Sequence, residues 1–599
     1  MPTSEERINE VGRKAQENGN LIWNAANSLF GAFKPHEYGL VILPMCVIKR
    51  FHDCLLPKHE AILAANEKYK DFGDLKDGFL KEAAGYQFYN TSRFTFPTLL
   101  SDPENIEDNF RDYLAGFSQN VQQILSRMNF YQQIDRMVEA RCLYQVIVDF
   151  CAENLNMGPE RISTVDMGYI FEYLVQRFSE SYNEEAGAHF TSRDIIYLMC
   201  DLLLTNGGLE DKGEGIHCTV YDMTMGTSQM LTCMEERLRS LDENADVQTF
   251  GQEINPFTMG IAVADTMIHG GDPDNMKFGD TLSADQFKGY QFDYVISNPP
   301  FGIDWKREAE EVEAEYKKGP EGRFEPGLPP KSDGQMLFLL NGIAKLKSSS
   351  GKMAIIQNSS SLYSGDAGNG QSEIRKFIIE RDWLDAIIQL PQNSFYNTPI
   401  ETYVWIIDKS KPIRNPGSVL LIDASLCKET RKKNIGSKHV DITPYCSKLI
   451  VQAYGNYRTA TYDSSSENGG SITVKAQLVD SAEFGYKKIT VETPLLDESN
   501  KPILKRGKPV ADASKRDTEM VPLVESIDDF YEKEIKPYNP LAWVDDSKTK
   551  IGYEIPFTRM FYDYHPMESA EEIAAEIRAS EKKLMDKLES LFGEDATND

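Results

Sequence analysis

Basic residues are what this chain has too few of: 64 Lys and Arg stand against 93 Asp and Glu, for a formal net charge of -29. Proteins hold nucleic acid by its phosphates through lysine and arginine, so a chain this acidic that works on DNA draws much of its grip from elsewhere. Cysteine is sparse and unpatterned. Nine residues with no Cys-x-x-Cys pair argue against a disulfide framework and a zinc site, and leave reduced core thiols. There are eight histidines, and His36, His52 and His59 share no ligand spacing, so no metal is expected. Long apolar runs are missing too: Leu40 to Ile48, the longest, falls far short of the roughly 20 residues that cross a bilayer. With the polar, acidic start Met1-Pro-Thr-Ser-Glu-Glu-Arg, a soluble, cytoplasmic protein is expected, with no membrane partner. Its 599 residues exceed one hydrophobic core, so more than one domain is expected.

What is present centres on Phe292-Asp-Tyr-Val-Ile-Ser-Asn-Pro-Pro-Phe301. Tyr294 to Ile296 reads as a buried parallel strand, and two prolines without N–H groups then force the backbone out of the sheet at Asn298. In an open α/β sheet, ligands bind where strands end in this way. Asn298 accepts through its amide oxygen and Pro299 through its carbonyl, a pair of acceptors suited to an amino group. Pulling on both hydrogens of an adenine amine localises its lone pair toward an electrophile. Pro300 stiffens the turn, and Phe301 offers a flat face to an extruded base. A plain turn beside a core phenylalanine explains the same four residues, so the context decides.

Up to about residue 160 the periodicity predicts helices, with apolar stripes at Ile22, Trp23, Ala26, Leu29 and Phe30 and again at Val121, Ile124, Leu125 and Met128. Pro44 should kink or start a helix. Ser192 is placed to cap a helix whose N-terminus, with Arg193 nearby, suits a carboxylate. From His217 strands and helices alternate through Thr219–Asp222, Val247–Glu253, Met276–Asp280, Tyr294–Ile296, Met353–Gln357, Leu384–Leu390 and Thr402–Ile407, which predicts a doubly wound α/β sheet. Asp222, Glu253 and Asp280 fall at or just past the ends of three successive strands. A tight turn at Gly226, Thr227 and Ser228, then Glu253 for ribose hydroxyls, then Asp280 for an adenine amine, is the order a nucleoside needs. One glycine in that turn, where a dinucleotide wants Gly-x-Gly-x-x-Gly, disfavours a dehydrogenase. The charged insertion 304–332 reads either as a mobile loop closing over a flipped nucleotide or as a solvated linker, and Tyr462 to Gly470 as disordered.

These motifs resemble those of the N6-adenine methyltransferase (modification) subunits of type I restriction–modification systems, over nearly the whole chain. Asn20-Leu-Ile-Trp-Asn-Ala-Ala is similar to that family's helical N-terminal domain, and Ala188-His189-Phe190-Thr191-Ser192-Arg193 to its first S-adenosylmethionine motif. Asp222-Met-Thr-Met-Gly226-Thr227-Ser228-Gln229 is similar to the cofactor loop, Gly251-Gln-Glu253-Ile-Asn-Pro-Phe to the ribose motif, and Asn298-Pro299-Pro300-Phe301 to the catalytic motif. Lys548 to Phe557 resembles the segment before the family's C-terminal helix. The resemblance implies methyl transfer from S-adenosyl-L-methionine to a flipped adenine in duplex DNA. Phe190–Arg193 and Thr227–Gln229 would surround the methionine end. It also implies a DNA-specificity subunit joined to two copies of this subunit and, in a complete system, a restriction (nuclease/translocase) subunit. Met223 stands where the family has proline, Gln229 replaces a glycine, and Ser192 stands where proline is common.

The expected organisation is a helical domain over 1–160, a catalytic domain over 161–410, a mixed extension with polar loops over 411–567, and a partner-binding helix over 568–599 lined by Ile573, Ile577, Leu584, Leu588 and Leu591. Two other functions fit the residues: an amino-group methyltransferase acting on RNA or protein glutamine, or a non-catalytic assembly subunit with a degenerate cofactor loop.

Overall fold

Strands that are buried on both faces organise the molecule. The computed structural model describes residues 17–152, 154–179, 191–206, 215–396, 398–465, 470–562 and 570–592. The strands β1 (His217–Asp222), β2 (Asp246–Glu253), β3 (Met276–Phe278), β4 (Tyr294–Ser297), β5 (Lys352–Asn358), β6 (Leu384–Gln389), β7 (Thr402–Asp408) and β8 (Ser418–Asp423) join one sheet. Beyond a ribbon of β9 (Glu429–Ile435) and β10 (Lys438–Asp441), β11 (Ala460–Ser465) and β12 (Ser471–Asp480) extend it. The spatial order is β11-β12-β8-β6-β7-β5-β4-β1-β2-β3. From β3 to β5 every pairing is parallel, whereas β7 lies antiparallel between β5 and β6. Every residue of β4 and β7 is buried, the reason Tyr294-Val-Ile-Ser reads as a continuous apolar run rather than an alternating one.

Helices cover both faces, as the alternating pattern requires. The ones used below are α1 (Arg193–Leu204), α2 (Gln229–Leu241), α3 (Pro256–Ile268), α4 (Ala309–Tyr316), α5 (Gln335–Ala344) and α6 (Gly370–Glu380). Ahead of them the chain is helical, and Gly39–Leu55 is almost wholly buried and runs through Pro44 instead of starting there. Val121, Ile124, Leu125 and Met128 form one buried face, as their spacing predicts. Phe30 departs from its expected stripe: the helix ends at Leu29, Phe30 turns extended, and its ring is 86% exposed. Tyr462 to Ser465, expected to be disordered, pairs antiparallel with β12, because a sheet edge supplies the hydrogen bonds that local composition does not promise. No helix among the described residues is long and apolar enough to cross a membrane.

After β12, Gly485–Glu492 pairs antiparallel with Asp517–Pro522, Trp543–Val544 and Lys550–Tyr553 around a small core of Ile489, Val491 and Val521. Buried Arg375 of α6 ties this sheet to the body, donating to the carbonyls of Tyr553 at 2.7 Å, Ser361 at 3.0 Å and Ser364 at 2.8 Å. Everything to Ile555 packs as one compact unit, and Pro556 onward forms a second. In that second unit α7 (Ala570–Phe592) leaves Ile573, Ile577 and Leu584 exposed, while the Leu588 and Leu591 side chains lie outside those described.

The insertion 304–332 is neither of the things its composition suggests. Trp305 is 2% exposed and donates Nε1–H to the Pro330 carbonyl at 3.0 Å. Farther along, the backbone presses on the start of α6 so closely that a Cβ on Gly370 would lie 1.9 Å from the Leu328 carbonyl oxygen. Buried Trp305, Val312 and Phe324 and a donor-rich arginine, Arg323, anchor a segment that is otherwise mostly charged or turn-forming. Gly370→Ala should therefore destabilise the protein by about 1–3 kcal/mol, the usual penalty of overpacking. Urea unfolding checks this, and an unchanged midpoint would mean that the insertion does not rest on α6.

Candidate active site

The carboxyl ends of β1 and β4 lie side by side at the point where the strand order turns back on itself, the place where open α/β sheets hold ligands. Asp222, last in β1, is 1% exposed and accepts hydrogen bonds from Ser297 Oγ at 2.6 Å and the Thr224 N–H at 3.0 Å. Thr224 Oγ1 and Ser297 Oγ are themselves 2.9 Å apart. Burial pushes the Asp222 carboxyl up to about 7, against the pull of those two donors, and the charge of Glu253 adds to the rise.

The loop after β1 folds as a tight turn. Gly226 has φ +55 and Ser228 φ +68, while Gln229 is already the first residue of α2. A glycine at 229 is thus not needed, since the left-handed positions are 226 and 228. Met223 is fully buried: its carbonyl accepts from Thr281 Oγ1 at 2.5 Å and its sulfur from Asn341 Nδ2 at 3.3 Å. Glu253, at the end of β2, accepts from the Gly226 N–H at 2.9 Å and from the Asn255 N–H at 2.7 Å, so it braces the turn as well as facing the cavity. Asp280 follows β3 and accepts from the Leu282 N–H at 2.8 Å.

Asn298 leaves β4 with its amide held at one end only. Its Nδ2 donates to Thr191 Oγ1 at 2.7 Å, whereas Oδ1 is buried with no hydrogen-bond partner among the described residues. A buried acceptor without a partner is costly, and such atoms mark places where a ligand completes the site. Pro299 is buried, Pro300 and Phe301 are half-buried, and Phe301 packs against the core.

One cavity, about 1170 Å³ counted out to its mouth, collects most of the expected residues: Thr191, Asp222, Gly226, Thr227, Gln229, Glu253, Asp280, Asn298 and Pro300 all line it. Ser192, Ser228, Pro299 and Phe301 do not, and Ala188, His189 and Phe190 lie outside the described residues. Ser192 is the N-cap of α1, as expected, although its side chain makes no capping bond. Arg193 does not line the cavity either. Its guanidinium lies 3.7 Å from the Tyr169 ring centroid and 3.8 Å from Glu236, bordering a smaller pocket that shares Thr227 and Gln229. An arginine at the first position of a helix with a buried face is drawn under that helix by an aromatic ring and a carboxylate, and sequence spacing does not show it.

The cavity also takes in Ile254, Thr281, Ile303, Asp304, Glu308 and Phe338, none of them expected. Ile254 and Ile303 are 58% and 47% exposed; Ile254 stands inside the ribose motif beside Glu253 and Ile303 two residues past Phe301, the one signal that could have found them. Asp304 and Glu308 enter because the insertion is folded against the site. Burial, and then the charge of Asp280, holds the Glu308 carboxyl above its ordinary value. Among the described residues the lining thus carries five carboxylates, Asp222, Glu253, Asp280, Asp304 and Glu308, and no lysine or arginine.

A model of the N-6 DNA Methylase family matches residues 163–486, more than half of the chain, and a model of the HsdM N-terminal domain matches residues 18–150. The chain belongs to the N-6 DNA methylase family. Curated relatives of this methylase include the type I restriction enzyme MjaIX methylase subunit of Methanocaldococcus jannaschii, 24% identical over 76% of this chain and 82% of its own length. The HindI methylase subunit of Haemophilus influenzae is 27% identical over 53% and 68%. Among solved structures, the type I restriction-modification system methyltransferase subunit from Streptococcus thermophilus superposes with a TM-score of 0.60 at 23% identity, covering 78% of this chain and 97% of that one, which establishes the shared fold. The enzyme is a DNA methyltransferase of the adenine-N6 class, and its family implies use of S-adenosylmethionine.

The buried carboxyl of this methylase gives it a pH signature. Folded Asp222 keeps its proton up to about pH 7, while an unfolded aspartate loses it near pH 4. The stability linked to that proton is complete below about pH 4 and is lost as pH rises through 7. Asp222→Asn keeps both acceptor contacts and has no proton to lose. It should unfold with a flatter pH dependence and exceed the parent's stability at pH 8 by a few kcal/mol at most, at roughly 1.4 per pKa unit. Parallel pH slopes in denaturant titrations of the two proteins would contradict the assignment.

Proposed function

We propose that the cavity holds S-adenosylmethionine, that Asn298 presents the adenine amino nitrogen to it, and that the chain serves as the modification subunit of a type I restriction–modification system. One observation carries the reading: among the described residues, five carboxylates and no basic side chain line a cavity at whose edge a buried amide oxygen lacks a partner. Such a lining repels phosphate and favours a cation. S-adenosylmethionine is cationic at its sulfonium and its ammonium, and supplies an electrophilic methyl group.

Each residue then has a task. Asp280 accepts from the nucleoside's adenine amine, Glu253 from a ribose hydroxyl, and Ile254 and Ile303 offer apolar faces to the ring. The turn at Thr227 surrounds the methionine end. Arg193 takes no part in this reading, which leaves the negative end of the cofactor to backbone N–H groups. On the DNA side, Asn298 Oδ1 and the Pro299 carbonyl accept the two hydrogens of the target amine and hold its lone pair toward the methyl. Phe301, outside the cavity, is left to stack on the flipped base.

The relatives are named as methylase subunits of type I restriction enzymes, and the charge of -29 fits an assembly in which other chains supply DNA grip and sequence reading. The partners proposed on that ground are duplex DNA, a DNA-specificity subunit, a second copy of this chain and, in a complete system, a restriction subunit. The exposed Ile573, Ile577 and Leu584 of α7 give the specificity subunit an apolar helix face.

Asn298→Ala should lower the methylation rate by about 10²–10³, the usual cost of removing an oriented electrostatic partner, while calorimetric affinity for S-adenosylmethionine stays near the parent's. Methylation at the parent rate would end the catalytic assignment. Offering duplex DNA, RNA and a glutamine-bearing peptide side by side separates the DNA reading from other amino-group substrates. Deleting residues 570–592 should abolish co-purification with the specificity subunit and spare cofactor binding, and retained co-purification would move the partner surface elsewhere.

A further inference from the structure

The folded insertion contributes more to the cavity than a wall. Arg323 is buried, its side chain 8% exposed, and all five of its guanidinium hydrogens are engaged. Nη1 donates to the Thr281 carbonyl at 2.6 Å and Asn341 Oδ1 at 2.9 Å. Nη2 donates to the Leu282 carbonyl at 3.0 Å and Glu315 Oε2 at 2.6 Å, and Nε to Glu315 Oε1 at 2.8 Å. Two of these acceptors belong to the backbone directly after Asp280, whose Oδ1 is held by the Leu282 N–H. The same guanidinium reaches the cofactor loop by two short routes, through Thr281 Oγ1 to the Met223 carbonyl and through Asn341 Nδ2 to the Met223 sulfur. Glu315, the counter-charge, lies on α4, and Glu308, which lines the cavity, immediately precedes that helix.

We propose that Arg323 is a positioning residue for the cofactor: it fixes the Asp280–Leu282 segment against the Met223–Gly226 turn so that Asp280 keeps one carboxylate oxygen turned to the bound nucleoside. The insertion therefore serves the cofactor rather than closing over the flipped base. This rests on the reading of the cavity as the S-adenosylmethionine site. A lysine cannot substitute, because a single ammonium on a flexible stem does not span two carbonyls, an amide and a carboxylate at once.

The test uses the full-length chain purified with its partner subunits. Two variants are compared with the parent: Arg323→Lys, which keeps the charge opposite Glu315, and Arg323→Met with Glu315→Leu, which removes the guanidinium and its two-point partner together while Asp285, 4.0 Å from Nε, stays paired with Lys345. In both, Kd and KM for S-adenosylmethionine should rise about tenfold, with kcat at saturating cofactor and KM for DNA within about twofold of the parent, the pattern of lost ground-state alignment. Parental cofactor affinity in either variant, measured below its melting temperature, overturns the proposal. So does a lower melting temperature with cofactor binding intact, which would leave Arg323 a folding role only, and so does a rise confined to the KM for DNA. A parent complex that fails to bind S-adenosylmethionine would instead refute the reading of the cavity on which the proposal rests.

Discussion

The short hydrogen bond from Ser297 to Asp222 joins the two strands between which we place the reaction. One partner ends β1 and opens into the cofactor turn, and the other ends β4 and is followed by Asn298. Cofactor loop and catalytic turn thus depart from neighbouring strands with their first residues fastened together, and Thr224 closes the triangle at 2.9 Å. Both groups are sealed from water, where a hydrogen bond is worth more and an unpaired polar atom costs more than at the surface. This arrangement sets the spacing of two loops whose contacts are otherwise separate.

A second layer of polar contacts works outward from that bond. Glu253 braces the Gly226 N–H, Thr281 and Asn341 hold Met223, and Arg323 secures the residues behind Asp280. Groups that face the cavity are in this way also tied to one another's backbones. Thr191 extends the scheme to the Asn298 amide: it accepts from Nδ2 and leaves the oxygen available. An amide turned the other way would present donors to a donor, so the orientation seen here is the one that suits the proposed target amine.

The strands that frame the site were legible because burial on both faces leaves continuous apolar runs, and because Asp222, Glu253 and Asp280 follow such runs directly. The Asn298 turn was legible because two prolines admit few backbones. Phe30, Arg193 and the insertion were not: the first turns on a local helix boundary, and the other two depend on partners distant in sequence. Phe30 is exposed because its helix stops at Leu29, a boundary that apolar spacing leaves undefined. Arg193 turns toward Tyr169 and Glu236. The charged residues of 304–332 suggested solvent, yet buried Trp305 bonds to Pro330 across the segment itself, and Arg323 ties it to the body at the Thr281 and Leu282 carbonyls. Composition averages over a segment, whereas one buried tryptophan or one saturated guanidinium decides its fate.

The acidity of the chain has different meanings at two scales. Within the cavity, carboxylates favour the cation we propose it holds, and burial lifts two of them, Asp222 and Glu308, toward their neutral forms, which eases their mutual repulsion. Over the whole surface, a charge of -29 repels the polyanion whose bases this methylase modifies. Moving the cavity's five carboxylates elsewhere would not remove that repulsion, since they are a small part of the 93 acidic residues. The excess belongs to the surface, where like charge opposes non-specific association with DNA phosphates. On the proposed function, the grip on DNA then comes from the assembled complex, with other chains supplying the cations that this one lacks.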